Sequence, residues 1–485
     1  ALIIFYNKEV STRTPSQSPP SNNINMLKLL LILAVAVSSA QHSIKRVLVP
    51  PSFTQLNIAS PDLHIPFYFA VQQQNINVLE KELIQRSDPQ HSSYGQWLSQ
   101  SAVTRLTAKP ESTAFLLQWL KHNLFFNIQP TATGDYVHAT GTHKLMQQHF
   151  QATMYHYTHK DTVVNSTQPH VHTNQYEIPS FLAPHVSFIG QISDFIPPAV
   201  HQTSIWSSAK SARSSSRLQT KDLKGNTTID LINKVYNISS NQVRPHGGAT
   251  QGLLAIGQAY NTTDFVTFAS RFNITTLSNI TTSDASKGNN FPFECTHSPN
   301  TCLEASLDQE TICGVAQGAS TVFWNADPNS QMWFDSYMIY LVNAADGVAP
   351  LINSFSYDIL EKTWNGDLKN QFSINAMKLG VRGITVLTAS GDDGVAGYGT
   401  RSHGQAQCGY HPAFPASNPW VLTVGATVGP EVGQKEVACT YATGGLISSG
   451  GGFSNWYPQP QYQTQAVDQY LSNVSGKLRC VLIFM

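Results

Sequence analysis

The sequence has few charged residues and no excess of either sign. Charged side chains make up 12% of the 485 residues, and 29 Lys and Arg balance 29 Asp and Glu. This charged content is about half of the usual globular share. Nucleic-acid-binding proteins typically carry a basic excess, so we expect no nucleic-acid partner. The apolar content of 41% still suffices for a large core, and the length predicts more than one domain.

Long apolar runs are scarce as well. One run of nine apolar residues spans 29–37. A membrane-spanning helix needs about 20 residues, so we expect no membrane span. A Lys precedes this run and Ser-Ser-Ala follows it, which is the pattern of a secretory signal peptide. We therefore expect a signal peptide at 26–40, and we interpret residues 1–25, which do not begin with Met, as upstream or untranslated sequence.

Cysteine is absent from the first 294 residues, and the six cysteines stand at positions 295, 302, 313, 408, 439 and 480. Their spacing fits no zinc motif with nearby His pairs, so we expect no metal site among them. In an oxidising compartment Cys295 can pair with Cys302, and Cys408 with Cys439 is a second plausible pair. The sequence leaves the connectivity open.

Glycosylation sequons of the form N-x-[ST] are frequent. Seven of them stand at Asn165, Asn226, Asn237, Asn261, Asn273, Asn279 and Asn473. Each alone is a weak signal, because such triplets occur by chance. Behind a signal peptide, the set favours a secreted or lysosomal glycoprotein.

Two folded units are separated by a linker. Residues 41–198 contain alternating apolar stretches and helical patterns, which predict an α+β unit. Residues 199–224 are rich in Ser, Lys and Arg and lack apolar periodicity, so they form a linker in which a processing cut is tolerated. In 225–485, near-continuous apolar runs such as 384–390 and 420–425 alternate with helical segments. This pattern predicts an α/β fold with a doubly wound parallel sheet.

Three carboxylates are candidates for chemistry. Glu304 and Asp308 stand four apart in a segment of helical periodicity at 302–318, which puts them on one helix face, about 6 Å apart at Cβ. Two such carboxyls can share a proton and separate their pKa values, although the spacing alone equally fits a solvated helix face. Asp392 follows the predicted strand 384–390, so it lies in an active-site loop or in a simple Asp–Gly turn.

Three motifs resemble one family. The sequence EASLD at 304–308 resembles the E-A-S-L-D helix of the sedolisins, the serine-carboxyl peptidases. The segment 88–98, DPQHSSYGQWL, resembles the D-P-x-x-x-x-Y-G-x-x-L signature of the sedolisin propeptide. SGGGFS at 449–454 is similar to the S-G-G-G-F-S segment of the same family. The resemblance extends over residues 47–474.

The resemblance implies an architecture and a catalytic set. It implies a subtilisin-like sheet, incomplete at its C-terminus, preceded by an α+β propeptide that acts as chaperone and intramolecular inhibitor. Glu304 would be the general base toward a serine nucleophile, with Asp308 as its partner. We expect a base pKa of about 4–5, so that the carboxylate stays unprotonated in acid, where a His would be charged. Asp392, when protonated, would donate to the oxyanion.

Substrate binding is assigned by the same resemblance. Ser356, at the end of a predicted strand, and the glycines Gly450 and Gly451 are the expected substrate-binding residues. Glycine permits close backbone approach at such a position. The expected substrates are peptides or proteins, with the chain's own propeptide as an intramolecular partner.

One family motif is missing. The nucleophilic serine of the family stands in G-T-S-A/M-S/P, and this sequence contains no such motif. The acids of the family's calcium site are also absent, so calcium is expected with ligands beyond residue 485. We therefore expect a truncated serine-carboxyl peptidase that is inactive as written. The alternative is a catalytically inactive secreted binding or inhibitor protein of the same family.

Charge is unevenly distributed between the units. Residues 42–224 carry 14 Lys and Arg and 10 Asp and Glu, a formal +4, whereas residues 225–470 carry 10 and 18, a formal −8. The units should attract each other near neutral pH. Thirteen of the 17 His lie in 42–201, so a distributed His switch that loosens the propeptide in acid is one hypothesis. Ordinary surface histidines are the equally weighted alternative.

Overall fold

The computed structural model describes residues 43–50, 52–159, 170–195, 225, 227–242, 250–282, 295, 302–327, 332–397 and 410–474. The predicted signal peptide, the linker at 199–224 and Cys408 lie outside these ranges. No helix within them is long and apolar enough to cross a bilayer.

The N-terminal part combines antiparallel sheets with helices. Its strands are β1 (Ser43–Arg46), β2 (Phe53–Ile58), β3 (His64–Val71), β4 (Phe126–Pro130), β5 (Tyr136–Thr142), β6 (Tyr155–His159), β7 (His170–His172), β8 (Gln175–Ile178) and β9 (Val186–Gly190). Its helices are α1 (Ile76–Ser87), α2 (Gln100–Thr107), α3 (Pro110–His122) and α4 (His143–Phe150). The main sheet has the antiparallel order β4-β5-β3-β9. The predicted α+β character is therefore confirmed.

Strand β3 divides its side chains between two cores, because successive residues of a strand point to opposite faces. Phe67 and Phe69 pack with Phe150 of α4. Tyr68 and Ala70 belong to a different apolar cluster, which contains side chains of the C-terminal part. The main sheet thus separates its own helices from the part of the chain that carries the candidate carboxylates.

The C-terminal part alternates strands and helices. Its strands are β10 (Thr250–Ile256), β11 (Ile280–Thr282), β12 (Ser320–Ala326), β13 (Ile352–Phe355), β14 (Ile359–Leu360), β15 (Thr385–Ala389), β16 (Ala413–Phe414), β17 (Leu422–Val424), β18 (Thr427–Val428) and β19 (Val437–Ala438). Its α-helices are α5 (Ile229–Val235), α6 (Thr262–Arg271), α7 (Leu303–Val315), α8 (Trp333–Asn343), α9 (Gly366–Gly380) and α10 (Thr464–Val474). Short 3-10 turns lie at Glu361–Thr363, Gly394–Ala396, Pro430–Val432, Tyr441–Thr443 and Gln461–Gln463.

Six of these strands form a parallel sheet in the order β11-β12-β10-β13-β15-β17. On one face, Leu254 and Phe355 lie in a cluster with Phe334 of α8 and side chains of α9. On the other face, Leu253 packs in a cluster with Ala305 of α7. Helices therefore cover both faces, and the predicted doubly wound parallel sheet is confirmed.

The N-terminal sheet docks on α8 and α9. Tyr68 and Tyr136 share an apolar cluster with Phe334. At its border, Lys378 Nζ donates a hydrogen bond to Asp135 Oδ2 at 2.6 Å, and the two side chains are 3% and 0% exposed. A charge that is buried this deeply is tolerated only when it is paired, so the ion pair fixes where the two parts meet.

Two buried ionisable groups of the N-terminal part have opposite effects on its stability in acid. Burial lowers the pKa of His172 from 6.5 to about 3. Protonation of His172 below pH 6.5 therefore favours the unfolded chain. The hypothesis of a His switch requires this loss of stability in acid. Burial raises the pKa of Asp194 from 3.8 to about 6, so its contribution to stability is present in acid and is lost as pH rises through that range. The distributed switch stays a prediction.

Replacing Lys378 with Met should strongly destabilise the docked arrangement. The substitution leaves the Asp135 carboxylate buried without its cation, and breaking a buried pair in this way costs about 3–5 kcal/mol. Urea unfolding followed by circular dichroism measures the loss. The double variant D135N/K378M should recover part of it, because the uncompensated charge is gone.

Lys45→Met is the matched control. Lys45 also bridges the two parts, through Asp367 at 2.9 Å, but these side chains are 30% and 29% exposed. Solvent screens such a pair, so its removal should change the free energy of unfolding by less than about 1 kcal/mol. Equal losses for K378M and K45M would contradict the assigned role of the buried pair.

Candidate active site

Loops from three strands meet at the carboxyl edge of the parallel sheet. Gln258 follows β10, Ser356 follows β13 and Asp392 follows β15. The register places Leu254 of β10 opposite Phe355 of β13. Because parallel strands end on the same side, these loops line one cleft, at the point where the strand order reverses.

Helix α7 brings Glu304 and Asp308 to this edge. Glu304 lies in the first helical turn. The helix buries Ala305 against the sheet, whereas Leu307 is 57% exposed, so its leucines do not mark the buried face. At 100° per residue, Glu304 and Asp308 lie between these two sides, and both are half-buried.

Ser356 is bound directly to the carboxyl pair. Its Oγ donates a hydrogen bond to Asp308 Oδ1 at 2.6 Å. The second oxygen, Asp308 Oδ2, is buried and has no hydrogen-bond partner among the described residues. Buried polar atoms without a partner are uncommon in proteins. Those that do occur are often found at functional sites. The structure thus joins a predicted substrate-binding residue to a predicted catalytic one.

Both carboxyls hold a proton more tightly than ordinary acidic side chains do. Burial raises the pKa of Glu304, and the charges of Asp308 and Asp392 raise it further. Burial also raises the pKa of Asp308, whereas the Ser356 hydrogen bond lowers it. The expected base pKa of about 4–5 is therefore wrong, because the sequence does not reveal how little water surrounds the pair. The two groups titrate as a coupled unit.

The glycine-rich segment packs on the loop that carries Asp392. The Gly450 N–H donates to the Gly391 carbonyl oxygen at 2.8 Å. A Cβ on Gly450 would lie 1.7 Å from the Ser390 carbonyl oxygen, so no larger residue fits there. Gly451 follows and is half-buried. The substrate-binding roles of Gly450 and Gly451 stay predictions.

Two further acids at this edge were not assigned from the sequence. A Cβ on Gly391 would meet Asp358 Oδ2 at 3.1 Å, so this carboxyl lies beside the Asp392 loop. In the sequence, Asp358 stands two residues after Ser356. Glu361 is buried and accepts hydrogen bonds from the Ser454 hydroxyl and, at 2.7 Å, from the Asn455 N–H. It thereby fixes the segment that follows the glycines.

Histidine takes no visible part in the site. Within the described ranges, no His side chain hydrogen-bonds to Glu304, Asp308 or Ser356. His411 lies instead near Lys362, with 3.5 Å between its Nε2 and the lysine Nζ. The candidate proton-transfer groups that the structure brings to this edge are carboxyls.

A disulfide and the absence of a metal cluster complete the surroundings. Cys295 and Cys302 are joined, with 5.4 Å between their Cα atoms, directly before α7, so this predicted pair is confirmed. The suggested partner of Cys439 lies outside the described residues. Among the residues that the structure describes, no group of three or more His, Cys, Asp or Glu side chains can hold a metal ion. The expected calcium ligands lie beyond residue 485, so calcium binding stays a prediction.

The arrangement can carry out proton transfer next to an oxyanion site. A carboxylate of the pair can accept a proton from a nucleophile, and Asp392 in its protonated form can donate to a developing oxyanion. Ser356 holds Asp308 in place for this task. The structure brings Glu304, Asp308 and Asp392 to one edge, and their catalytic roles stay predictions.

Known proteins match this chain in two ways. Residues 51–195 match the family described as Pro-kumamolisin, activation domain. Tripeptidyl-peptidase 1 of Homo sapiens is 28% identical over 463 residues, covering 91% of this chain and 75% of the relative. The probable tripeptidyl-peptidase SED3 of Arthroderma benhamiae is 26% identical over 474 residues, covering 93% and 76%.

A solved structure also matches. Pseudomonas sedolisin, a serine-carboxyl proteinase complexed with two molecules of pseudo-iodotyrostatin, is 21% identical with a TM-score of 0.38, covering 52% of this chain and 67% of that chain. The relatives named as tripeptidyl peptidases align over 91% of the chain and more, and the activation-domain match lies in the part that precedes the carboxyl pair. The activation-domain match and the tripeptidyl-peptidase relatives support the predicted resemblance to the sedolisin family of serine-carboxyl peptidases.

Proposed function

We propose that this protein is the zymogen of a secreted or lysosomal peptidase that cleaves peptides in acid. The observation that carries the proposal is the half-buried Glu304–Asp308 pair, held by Ser356 at the sheet edge that also presents Asp392. The names of the relatives favour release of tripeptides. Endopeptidase cleavage is the other outcome that the assay below distinguishes.

The proposed mechanism assigns the carboxyl chemistry to this chain. With one proton on the pair, Glu304 accepts the proton of a serine hydroxyl as its oxygen attacks the scissile carbonyl carbon. The protonated Asp392 donates to the oxyanion that forms. Protonated Glu304 then passes its proton to the leaving amine, and water hydrolyses the acyl enzyme by the same steps. The serine motif of the family is not in this sequence, so the proposal covers the carboxyl side only.

The pH dependence of the proposed activity follows from the groups involved. A carboxyl donates a hydrogen bond to an oxyanion only while it is protonated, so ionisation of Asp392 should abolish the donor as pH rises. The pair must lose one of its protons to act as a base, which sets the acidic limit of the activity. Because burial raises the pKa values of Glu304 and Asp308, this limit lies higher than for exposed carboxyls.

The proposed secretory route has structural support at its sequons. Asn237, Asn273 and Asn279 are exposed, as glycan attachment requires. Asn261 is buried, and its side chain accepts a hydrogen bond from the Thr263 N–H at 2.9 Å. Its role is therefore to cap α6.

Replacing the carboxyl pair should remove activity without unfolding the protein. In the protein made from its complete coding sequence, E304Q and D308N should each lower kcat by about 100-fold or more, because a general base contributes that much. A fluorogenic tripeptide with a free N-terminus, and the same peptide with a blocked N-terminus, measure tripeptidyl peptidase and endopeptidase activity. Cleavage of the free peptide alone is expected.

Glu310→Gln is the matched control. Glu310 is half-buried on the same helix, and burial raises its pKa to about 7. E310Q makes the same chemical change outside the site, so kcat should stay within about twofold of the parent. Full activity of E304Q would refute the proposed base. Inactivity of the parent toward both peptides, together with inhibition of an active relative, would favour the inhibitor alternative.

Asp392 should respond differently to Asn and to Ala. D392A removes the oxyanion donor and should lower kcat by about 10²–10³-fold. D392N keeps an N–H donor that does not ionise, so it should retain more activity and extend it to higher pH. Because protonated Asp392 carries no charge, the acidic limit of D392N should stay at the parental pH. Measuring kcat against pH tests the extension to higher pH, and identical profiles for the two variants would exclude Asp392 as the donor.

A further inference from the structure

The helix that carries the carboxyl pair lacks a cap of its own. The residue before its first turn is Cys302, which makes no capping hydrogen bond with its side chain. Its sulfur is already joined to Cys295. The first N–H groups of a helix have no intrahelical partner and must be satisfied from elsewhere. Ala305, which carries one of them, is fully buried.

Gln258 supplies the missing acceptor from another strand. Its Oε1 accepts hydrogen bonds from the Glu304 N–H at 3.0 Å and from the Ala305 N–H at 3.2 Å. The Gln258 side chain is itself buried, at 4% exposure. Water has little access to replace it, so these two bonds attach the first turn of α7 to the edge of the sheet.

The backbone before Gln258 directs its side chain to this position. Gly257 extends the β10 ladder, because its N–H donates to the Ala326 carbonyl oxygen at 2.9 Å. Gly257 then turns the chain with a φ of 61°, a conformation that favours glycine. The turn brings Gln258 beneath the start of α7. The contact therefore depends on the sheet and not on local sequence.

Both members of the carboxyl pair are thus held by neighbouring strands. The backbone of Glu304 is held by Gln258 after β10, and the side chain of Asp308 is held by Ser356 after β13. These strands are paired in parallel register. Proton transfer loses efficiency when reacting groups are misplaced by about 1 Å, so two attachments on one rigid sheet fix the pair relative to the cleft.

We propose that Gln258 is a positioning residue that holds Glu304 in place for proton transfer. The inference rests on the proposed peptidase function. Gln258 acts through the helix backbone and not on the substrate. This role also explains why residue 258 is a Gln. Its neutral amide caps the helix without adding a negative charge beside Glu304. A Glu at this position would keep the acceptor but would add that charge once ionised.

Three variants of the protein made from its complete coding sequence test this role. Q258L removes the acceptor at similar volume, and Q258E restores it with a charge. Q251L is the matched control, because Gln251 is a buried glutamine of β10 whose contacts lie away from the first turn of α7. Its Nε2 donates to Thr321 Oγ1 at 3.0 Å and to the Ile312 carbonyl oxygen, near the other end of α7, at 3.5 Å. For each variant, kcat and KM are measured per folded molecule against pH, with thermal unfolding alongside.

The proposal expects three results. Q258L should lower kcat by about tenfold or more with KM changed by less than about twofold, because the substrate still binds while the base is misplaced. Q258E should recover most of kcat, with its acidic limit moved to higher pH, because a second negative charge raises the pKa of Glu304. Q251L should lower the unfolding temperature while keeping kcat and the pH profile.

The experiment distinguishes failure of the positioning role from failure of the proposed peptidase function. Parental kcat and pH profile in Q258L, with E304Q inactive, would overturn the positioning role and leave the peptidase function standing. Loss of kcat in Q251L as large as in Q258L would also overturn it, since the effect would then not be specific to the first turn of α7. Activity in E304Q would overturn the proposed function, and with it the positioning role.

Discussion

Two carboxyls that are kept close together and away from water are the constraint on which the site depends. Burial makes ionisation of Glu304 and Asp308 unfavourable, and a negative charge on Asp308 makes ionisation of Glu304 still less favourable. An unanchored helix would relax by turning one group into solvent. The Ser356 hydrogen bond on Asp308 and the Gln258 contacts at the start of α7 oppose that movement. The proton affinity of the pair is thus a property of the sheet edge.

The rest of the fold positions the residues at this edge of the sheet. The doubly wound sheet places the ends of β10, β13 and β15 side by side, and close packing of Gly450 on Ser390 supports the loop that carries Asp392. The N-terminal part docks through the Asp135–Lys378 ion pair and the cluster around Tyr68, on helices α8 and α9. These helices cover the face of the sheet opposite to α7.

The sequence revealed much of this architecture and less of the site. Near-continuous apolar runs predicted the parallel strands, and the spacing of Glu304 and Asp308 predicted a shared helix face. Gln258 was missed because its partners are 46 and 47 residues away, and only the strand register brings them together. The base pKa was predicted wrongly because burial is a tertiary property. Leu307 followed the helical period and is nevertheless exposed.

The coupled carboxyl pair is the central claim, and its titration tests it most directly. Carboxyl carbon-13 NMR of the labelled chain, assigned with E304Q and D308N, reports the pKa values of Glu304 and Asp308. The account predicts that both exceed the ordinary values of 4.5 and 3.8, and that D308N lowers the pKa of Glu304 because it removes a neighbouring charge. Independent titration of both groups at the ordinary values, unchanged by the partner's substitution, would contradict it.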